Sequence, residues 1–536
     1  MLKILLITLY KDARSSAMEE IGIESIAAFL RSRGYDVMLS GQTQDQLDYS
    51  KIVEFNPGIV GVPVYNTIRD LFYRFSSKIK QMLPGVLICA GGYYPTYNDR
   101  ELLEEAPMVD FVVRGEGEIT FLQLVEAIEQ NRSLENIPGL TYRSEGETRS
   151  NPDRDLIDDL DTLPVPARDI LEKNNLKIAL LSTSRGCKAA CTFCVNRTFW
   201  KKWRGRSVSL IMDEIRTLHA QGHRQLNIID SSFEDPDLNR MMEIARGISQ
   251  LDPGISYFID VRAEFYHKAS DQDMKLLKKS GLRGVLIGIE AGNPTDHKLY
   301  AKMADLQDSG KTISFFRSHG IAVTIGFINF NPYSTFETLR ENIDFLEKHG
   351  FASCFDCISN RLMVFKGSTL YRVLEKDGLL QNTISQDPRA YLYKDERIRS
   401  LALYISDYMD RLGNMPRNIV DGFYFYTNYF NVLLQHYKHH FDTPALQQGL
   451  EQTLHCENRI AEILGRLNNL NAQWSRELLN LAEKGWNKLQ ANIISNRVIS
   501  PTTLHEILTE LDMEQFTLSE KLLRLGPQYT AHLTWK

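Results

Sequence analysis

Cys187, Cys191 and Cys194 place three thiols in one short loop, Cys187-Lys188-Ala189-Ala190-Cys191-Thr192-Phe193-Cys194, directly behind Arg185-Gly186. Thiolates are the ligands that hold iron–sulfur clusters, and a four-iron cubane normally takes four of them. Three in one loop reach three corners and leave the fourth iron open to an outside ligand. Zn²⁺ is the competing ion, but it needs a fourth Cys or His close by. The next Cys is Cys354 and the nearest His is His219, so the spacing favours the cluster.

The CxxxCxxC pattern, with the aromatic Phe193 before its last Cys, resembles the radical S-adenosylmethionine (radical SAM) superfamily. The resemblance implies a [4Fe–4S] cluster whose open iron chelates SAM, reductive cleavage of the sulfonium and a 5′-deoxyadenosyl radical. The stretch Arg204-Gly205-Arg206-Ser207, with a helix carrying Asp213-Glu214-Ile215 behind it, is similar to the segment after the cluster loop in the cobalamin-binding branch. An electron donor such as flavodoxin or ferredoxin is then an implied partner.

The elements that must position this loop are legible around it. Residues 1–136 alternate strand-like runs (near 3–9, 36–39, 58–63, 86–90 and 110–114) with helical patterns such as Glu19 to Arg33, stopped by Gly34. That alternation predicts a doubly wound, Rossmann-like parallel sheet, with ligands beyond the carboxyl ends of the strands. Gly91-Gly92 and Arg114-Gly115-Glu116-Gly117-Glu118 fall there, although simple turns explain lone glycine pairs equally well. By position and pattern this α/β domain resembles the cobalamin-binding domain ahead of many radical SAM cores. It departs in lacking Asp-x-His-x-x-Gly, whose His ligates cobalt from below, because the first His of the chain is His219. Cobalamin is therefore either bound without that ligand or absent from a vestigial pocket.

Residues 137–175 read as a linker, and Asp159 to Asp169 looks like the branch's interdomain motif, its prolines fixing an extended crossing. Residues 176–384 predict six βα units, with strands near 177–182, 226–230, 256–261, 284–289, 322–328 and 354–363, the partial (β/α)6 barrel of the superfamily. Three strand ends resemble SAM-handling motifs: Ile259 to Glu264 with Arg262, Gly288 to Gly292 with Glu290, and Gly326 to Asn329. The resemblance implies cofactor contacts from Phe193, Arg262, Gly288, Glu290 and Asn329. Glu290 would accept from ribose hydroxyls, and Arg262 would pair with the SAM carboxylate or with Glu290. Strand-end salt bridges would account for the same residues.

Residues 385–536 form a helical C-terminal region, with Ile460, Ile463, Leu464, Leu467, Leu470, Trp474, Leu478 and Leu481 at helical spacing. A cap over the barrel mouth is expected. Phe423 to Phe430 read as its core or as a substrate platform, and His436, His439 and His440 as solvated rather than metal-binding. Cys89 and Cys456 read as buried small hydrophobes. Cys354 and Cys357 fall on the predicted sixth strand and so on opposite faces. Cys357, nearer the catalytic end, is the candidate inward thiol, able to give a hydrogen atom to a carbon radical; core packing would account for it equally.

The bulk numbers close off other classes. A net charge of −6 argues against a nucleic-acid or membrane-surface binder. No apolar run is long enough to span a membrane, and Met1 to Ile7 reads as a first strand rather than a signal peptide. Seven cysteines in 536 residues make no disulfide framework and fit a reducing cytoplasm. A radical SAM enzyme abstracting hydrogen from an unactivated C–H bond is the expected activity, on a peptide or small natural-product substrate. In overall architecture, with a His-free first domain and a barrel thiol, the layout resembles the radical SAM epimerases, which implies L-to-D epimerisation of residues in a ribosomally made peptide with Cys357 as hydrogen donor. The alternative is a cobalamin-dependent methyltransferase.

Overall fold

The structure, a computed structural model, describes residues 2–11, 18–251, 254–383, 387–412 and 444–524. Every residue of β1 (Ile4–Tyr10) is buried, as a run of this apolarity requires in the middle of a covered sheet. Beside it run β2 (Val37–Thr43), β3 (Ile59–Pro63), β4 (Leu87–Gly91) and β5 (Phe111–Val113), all parallel in the order β2-β1-β3-β4-β5. Alternation along β1 sends Ile4 and Leu6 to one core, with the helices Ile21–Arg31 and Gly117–Glu129. Leu5, Ile7 and Leu9 enter a second core with the helix Arg69–Met82.

Two strands then extend the sheet where the sequence predicts a linker. β6 (Leu140–Ser144) and β7 (Glu147–Ser150) form an antiparallel hairpin on the edge of β5. Its turn, Glu145-Gly146, has both residues at positive φ, the geometry that matches strand twist in a two-residue loop. Burial of Leu140 and Tyr142 against the sheet explains why residues 140–150 belong to the first domain.

The second sheet has five parallel strands, in the order β14-β13-β12-β11-β8: β8 (Ile178–Leu181), β11 (Gln225–Ile228), β12 (Ser256–Arg262), β13 (Leu282–Glu290) and β14 (Ala322–Phe327). A short ribbon, β9 (Ser184–Arg185) with β10 (Arg204–Gly205), leads into the cysteine loop. The predicted sixth strand is a correction. Cys354 precedes a short helix, Phe355–Ser359, and a single bridge, Phe330 to Arg361, stands where a ladder was expected. The edge of β14 is instead met by two asparagines: Asn329 Nδ2 donates to the Ile358 carbonyl at 2.6 Å and Asn360 Nδ2 to the Phe327 carbonyl at 3.2 Å.

The helix Pro444–Glu483 buries Ile460, Ile463, Leu467, Trp474 and Leu478, as their spacing predicts. It does not lie over the barrel mouth. It runs along the barrel helix Phe336–Lys348, where Asn468 Nδ2 donates to the Glu347 carbonyl and Arg476 pairs with Asp344 at 2.7 Å. Phe423 to Phe430, His436, His439 and His440 lie outside the described residues, as does the side chain of Cys456. Cys89 is buried in β4 as predicted. Among the described residues no helix is long and apolar enough to cross a membrane.

Candidate active site

The cysteine loop is fastened at its middle. Thr192 donates its N–H to the Tyr300 carbonyl (3.1 Å) and its hydroxyl to the Leu299 carbonyl (2.7 Å), while its own carbonyl accepts from Leu370 N. Phe193 sets its ring edge-on to Tyr300 at 5.3 Å, so it packs the loop onto the barrel. Lys188 N–H donates to Asp235 at 3.3 Å. Gly186, at φ +88, approaches the Lys202 carbonyl so closely that a Cβ would stand 2.3 Å from it. At the root, buried Asp230 accepts from Thr183 N (2.7 Å), Ser184 N (3.0 Å) and the Ser184 hydroxyl (2.7 Å), locking the end of β8 to the end of β11.

Cys187, Cys191 and Cys194 are all partly exposed and sense one another electrostatically. Burial pushes the Cys187 thiol up to about 11 and raises the other two, so thiolates here need an adjoining cation. Among the described residues no three Cys, His, Asp or Glu side chains converge on a single ion, which is what Zn²⁺ would require. A cubane presents separate corners to separate thiolates, and the loop fits that group.

Around the thiols stand the strand-end residues named from sequence, and the structure redistributes their roles. Glu290, at φ +74 on a bulge ending β13, folds its carboxylate into space that Gly288 and Gly326 leave open; a Cβ on Gly288 would lie 3.0 Å from Glu290 Oε1. Burial raises its pKa, opposed by Lys302, whose Nζ is 3.7 Å from Glu290 Oε1 and donates to the Gly288 carbonyl at 2.6 Å. Lys302 escaped sequence reasoning because only the turn of the short helix Pro294–Tyr300 brings it back to the strand end. Arg262 does not pair with Glu290. It faces Glu264 at 2.8 Å and Asp235 at 3.7 Å, with Glu234 also near.

Asn329 is spent on structure: besides its bond to Ile358, its carbonyl oxygens accept from Asn342. Cys357 is 4 % exposed within the barrel core, on the short helix rather than on a strand. Cys354 precedes that helix and packs partly buried against the same core. The opposite-faces argument for the two thiols therefore lapses.

The Rossmann-like sheet meets the barrel at the same place. A narrow cavity of about 160 Å³ opens at the carboxyl ends of its strands, between the helices Ile21–Arg31 and Gly117–Glu129. Gly22, Gly61, Gly91, Gly92, Gly115 and Gly117 line it, and at Gly115 nothing stands within 4 Å of a notional Cβ. Such a slot fits a slim, flat, largely apolar group like the benzimidazole tail of a cobalamin. Larger spaces of about 320 and 850 Å³ adjoin it and share Tyr65 and Tyr93 with it. Tyr65 donates to Glu20 at 2.9 Å, and burial raises Glu20 to about 7. No histidine precedes His219, so this sheet offers no imidazole.

Buried ion pairs tie the two units together. Arg185 binds Glu116 and Glu118, each at 2.5 Å, and Arg204 binds Glu116 at 2.8 Å. Arg168, from the interdomain motif, bridges Glu19 at 2.9 Å and Glu214, which also holds Arg206. The motifs singled out from sequence on both sides of the boundary are thus paired with one another in two buried ion-pair groups.

Residues 7–125 match the B12 binding domain and residues 181–346 the Radical SAM superfamily. The chain is 30% identical over 338 residues to an uncharacterized methyltransferase, PH0819, of Pyrococcus horikoshii, covering 61% of this chain and 73% of that protein. It is 28% identical over 335 residues to the anaerobic magnesium-protoporphyrin IX monomethyl ester cyclase of Rubrivivax gelatinosus (59% of this chain, 60% of the cyclase). To the cytidylyl-2-hydroxyethylphosphonate methyltransferase of Streptomyces wedmorensis it is 26% identical over 453 residues (72% and 82%). Among solved structures, the cobalamin-dependent SAM radical enzyme OxsB with aqua-cobalamin bound superposes with a TM-score of 0.71 at 18% identity, covering 98% of this chain and 80% of that one. The chain belongs to the radical SAM superfamily, in the branch that carries a B12-binding domain ahead of the radical domain. Membership brings a [4Fe–4S] cluster and SAM as cofactors, with cobalamin the ligand of the first domain's family.

Proposed function

We propose that this protein is a cobalamin-dependent radical SAM methyltransferase acting on a small natural-product substrate. The observation that carries the reading is the placement of a glycine-walled B12-binding sheet directly against the cluster loop, its strand ends ion-paired to the loop's root. Relatives named as methyltransferases support it. The epimerase reading gives way. The relatives are methyltransferases and a cyclase, and the thiol it requires, Cys357, sits in the packed core.

When bound, cobalamin supplies a methyl carrier, and the cluster with SAM supplies a radical generator. The chain's share is positioning. Cys187, Cys191 and Cys194 would hold the cluster with one iron left for SAM. Glu290, partnered by Lys302, presents a carboxylate for ribose hydroxyls, and Arg262 brings a cation beside Cys187 for the SAM carboxylate. The larger cavity, about 850 Å³, offers a substrate space lined by Tyr94, Tyr97, Phe365 and the Lys366–Glu101 pair. An external one-electron donor of the flavodoxin or ferredoxin type would serve the cluster.

The test is anaerobic reconstitution with iron, sulfide and hydroxocobalamin, desalting, and an ultraviolet–visible spectrum, followed by incubation with SAM labelled in its methyl group. Cobalt absorption that survives desalting, with label entering product, is expected. Replacing the three cysteines by alanine should abolish both the cluster band and 5′-deoxyadenosine formation. A wild-type spectrum holding the cluster band alone would overturn the methyltransferase reading and leave the first domain vestigial.

A further inference from the structure

The cysteine loop is gripped by the B12-binding domain on both of its flanks. On the leading side Arg185, two residues before Cys187, reaches out of the radical domain to Glu116 Oε1 and Glu118 Oε1, each at 2.5 Å, with Ser25 Oγ at 3.4 Å. Glu116 and Glu118 follow β5, and Ser25 is on the first helix of the same domain. On the trailing side Asn196, two residues after Cys194, accepts from Tyr93 OH at 2.8 Å, and Trp200 Nε1 donates to that same hydroxyl at 2.9 Å. Tyr93 follows β4. The two flanks close on each other, because the Arg185 guanidinium lies 5.5 Å from the centre of the Trp200 ring. Arg185, Trp200 and Tyr93 also all line the glycine-walled cavity and the adjoining space of about 320 Å³.

The same side chains therefore border the cobalamin cavity and fix both ends of the cluster loop. A bidentate arginine held by two buried carboxylates has little freedom to adjust separately to each. Ordering the loop around a cluster would then order the cavity wall, and filling the cavity would order the loop. Two binding events that share one ordering step reinforce each other, and by linkage the effect is equal in both directions.

We propose that Arg185 with the Tyr93–Asn196 bond forms a two-point clamp that couples cluster assembly to cobalamin binding, with Arg185 as a positioning residue. The proposal rests on the cobalamin reading of the first domain, and it assigns no role in the chemical step to either residue. It differs from general docking of two domains, which Arg168 also provides through Glu19 and Glu214 away from the cysteine loop.

The experiment is a binding cycle rather than an activity assay. Hydroxocobalamin affinity is measured on cluster-free and on cluster-reconstituted protein, and the cluster's electron paramagnetic resonance signal is recorded with and without cobalamin. In the wild type the cluster is expected to tighten cobalamin by about tenfold, within the range of about 5- to 150-fold usual for coupled sites, and cobalamin to shift the cluster signal. In Arg185→Lys and Tyr93→Phe the ratio of the two affinities should fall toward one, each variant's cluster-free affinity being its own reference. Arg168→Lys should lose stability but keep the wild-type ratio. An affinity ratio of one in the wild type, or a ratio unchanged in both clamp variants, overturns the clamp while leaving the methyltransferase reading intact. Equal loss of coupling in Arg168→Lys would also overturn it, by showing a generic domain contact. Failure of the wild type to bind cobalamin in either form overturns both readings.

Discussion

Glu24 is fully buried on the first helix, and neither of its carboxylate oxygens has a hydrogen-bond partner. Burial, reinforced by Glu19 and opposed by Arg168, raises it to about 9, so it is protonated in the folded protein at neutral pH. In the unfolded chain it ionises near pH 4. Between those two values the folded state holds one proton more, so this group's contribution to stability falls as pH rises, and it is fully present only below the unfolded value. Glu24→Gln should therefore raise stability at pH 8 by about 1–3 kcal/mol and flatten the decline between pH 5 and 8. Urea titrations across that range would check it; equal slopes in both proteins would refute the assignment. At this same scale the sequence was readable for the cysteines, whose spacing is local. It was not readable for Lys302, which returns to Glu290 only because the short helix Pro294–Tyr300 turns the chain back, nor for Asn329, whose amide is consumed by the Ile358 carbonyl.

Among the elements, the crossing from Asp159 to Asp169, which opens on a 3-10 turn at Leu160–Thr162 and ends on the helix Asp169–Lys173 rather than running extended throughout, carries the most weight relative to its size. It delivers Arg168 into a site where Glu19 and Glu214 are almost wholly buried. Removing one member of such a group leaves uncompensated charge in the interior, which costs far more than the group itself contributes. Arg168→Ala should lower stability by about 3–5 kcal/mol, read from the shift of the denaturant midpoint. A shift under 1 kcal/mol would mean that water reaches those carboxylates. Strand and helix periods placed nearly every element of the two sheets. The exceptions were the hairpin of β6 and β7, whose short strands sit in a region read as linker, and the segment 354–363. There the apolar pattern suited a strand, but a five-residue helix stands in its place, with the Asn360 amide on the Phe327 carbonyl at the end of β14 and the Asn329 amide on the helix's own Ile358 carbonyl.

At the scale of the whole molecule, the two α/β units meet through the carboxyl ends of their strands, so both ligand-binding edges face one shared space. A ligand held there should stabilise both units together. Hydroxocobalamin at about 100 times its dissociation constant would add about 2.7 kcal/mol to the folded state. It should raise a single unfolding transition seen by both domains; a shift confined to one of two separate transitions would show that the interface is not cooperative. Sequence alone determined the three-thiol loop, the superfamily and the alternation of strands and helices, because each is written in spacings of a few residues. Tertiary structure decided what those spacings cannot carry. It seated Cys357 in the core, gave Glu290 to Lys302 rather than to Arg262, and joined Arg185 to Glu116 and Glu118. None of these is written in local spacing: the first two depend on how the barrel packs, and the third exists only once the two sheets have folded and met.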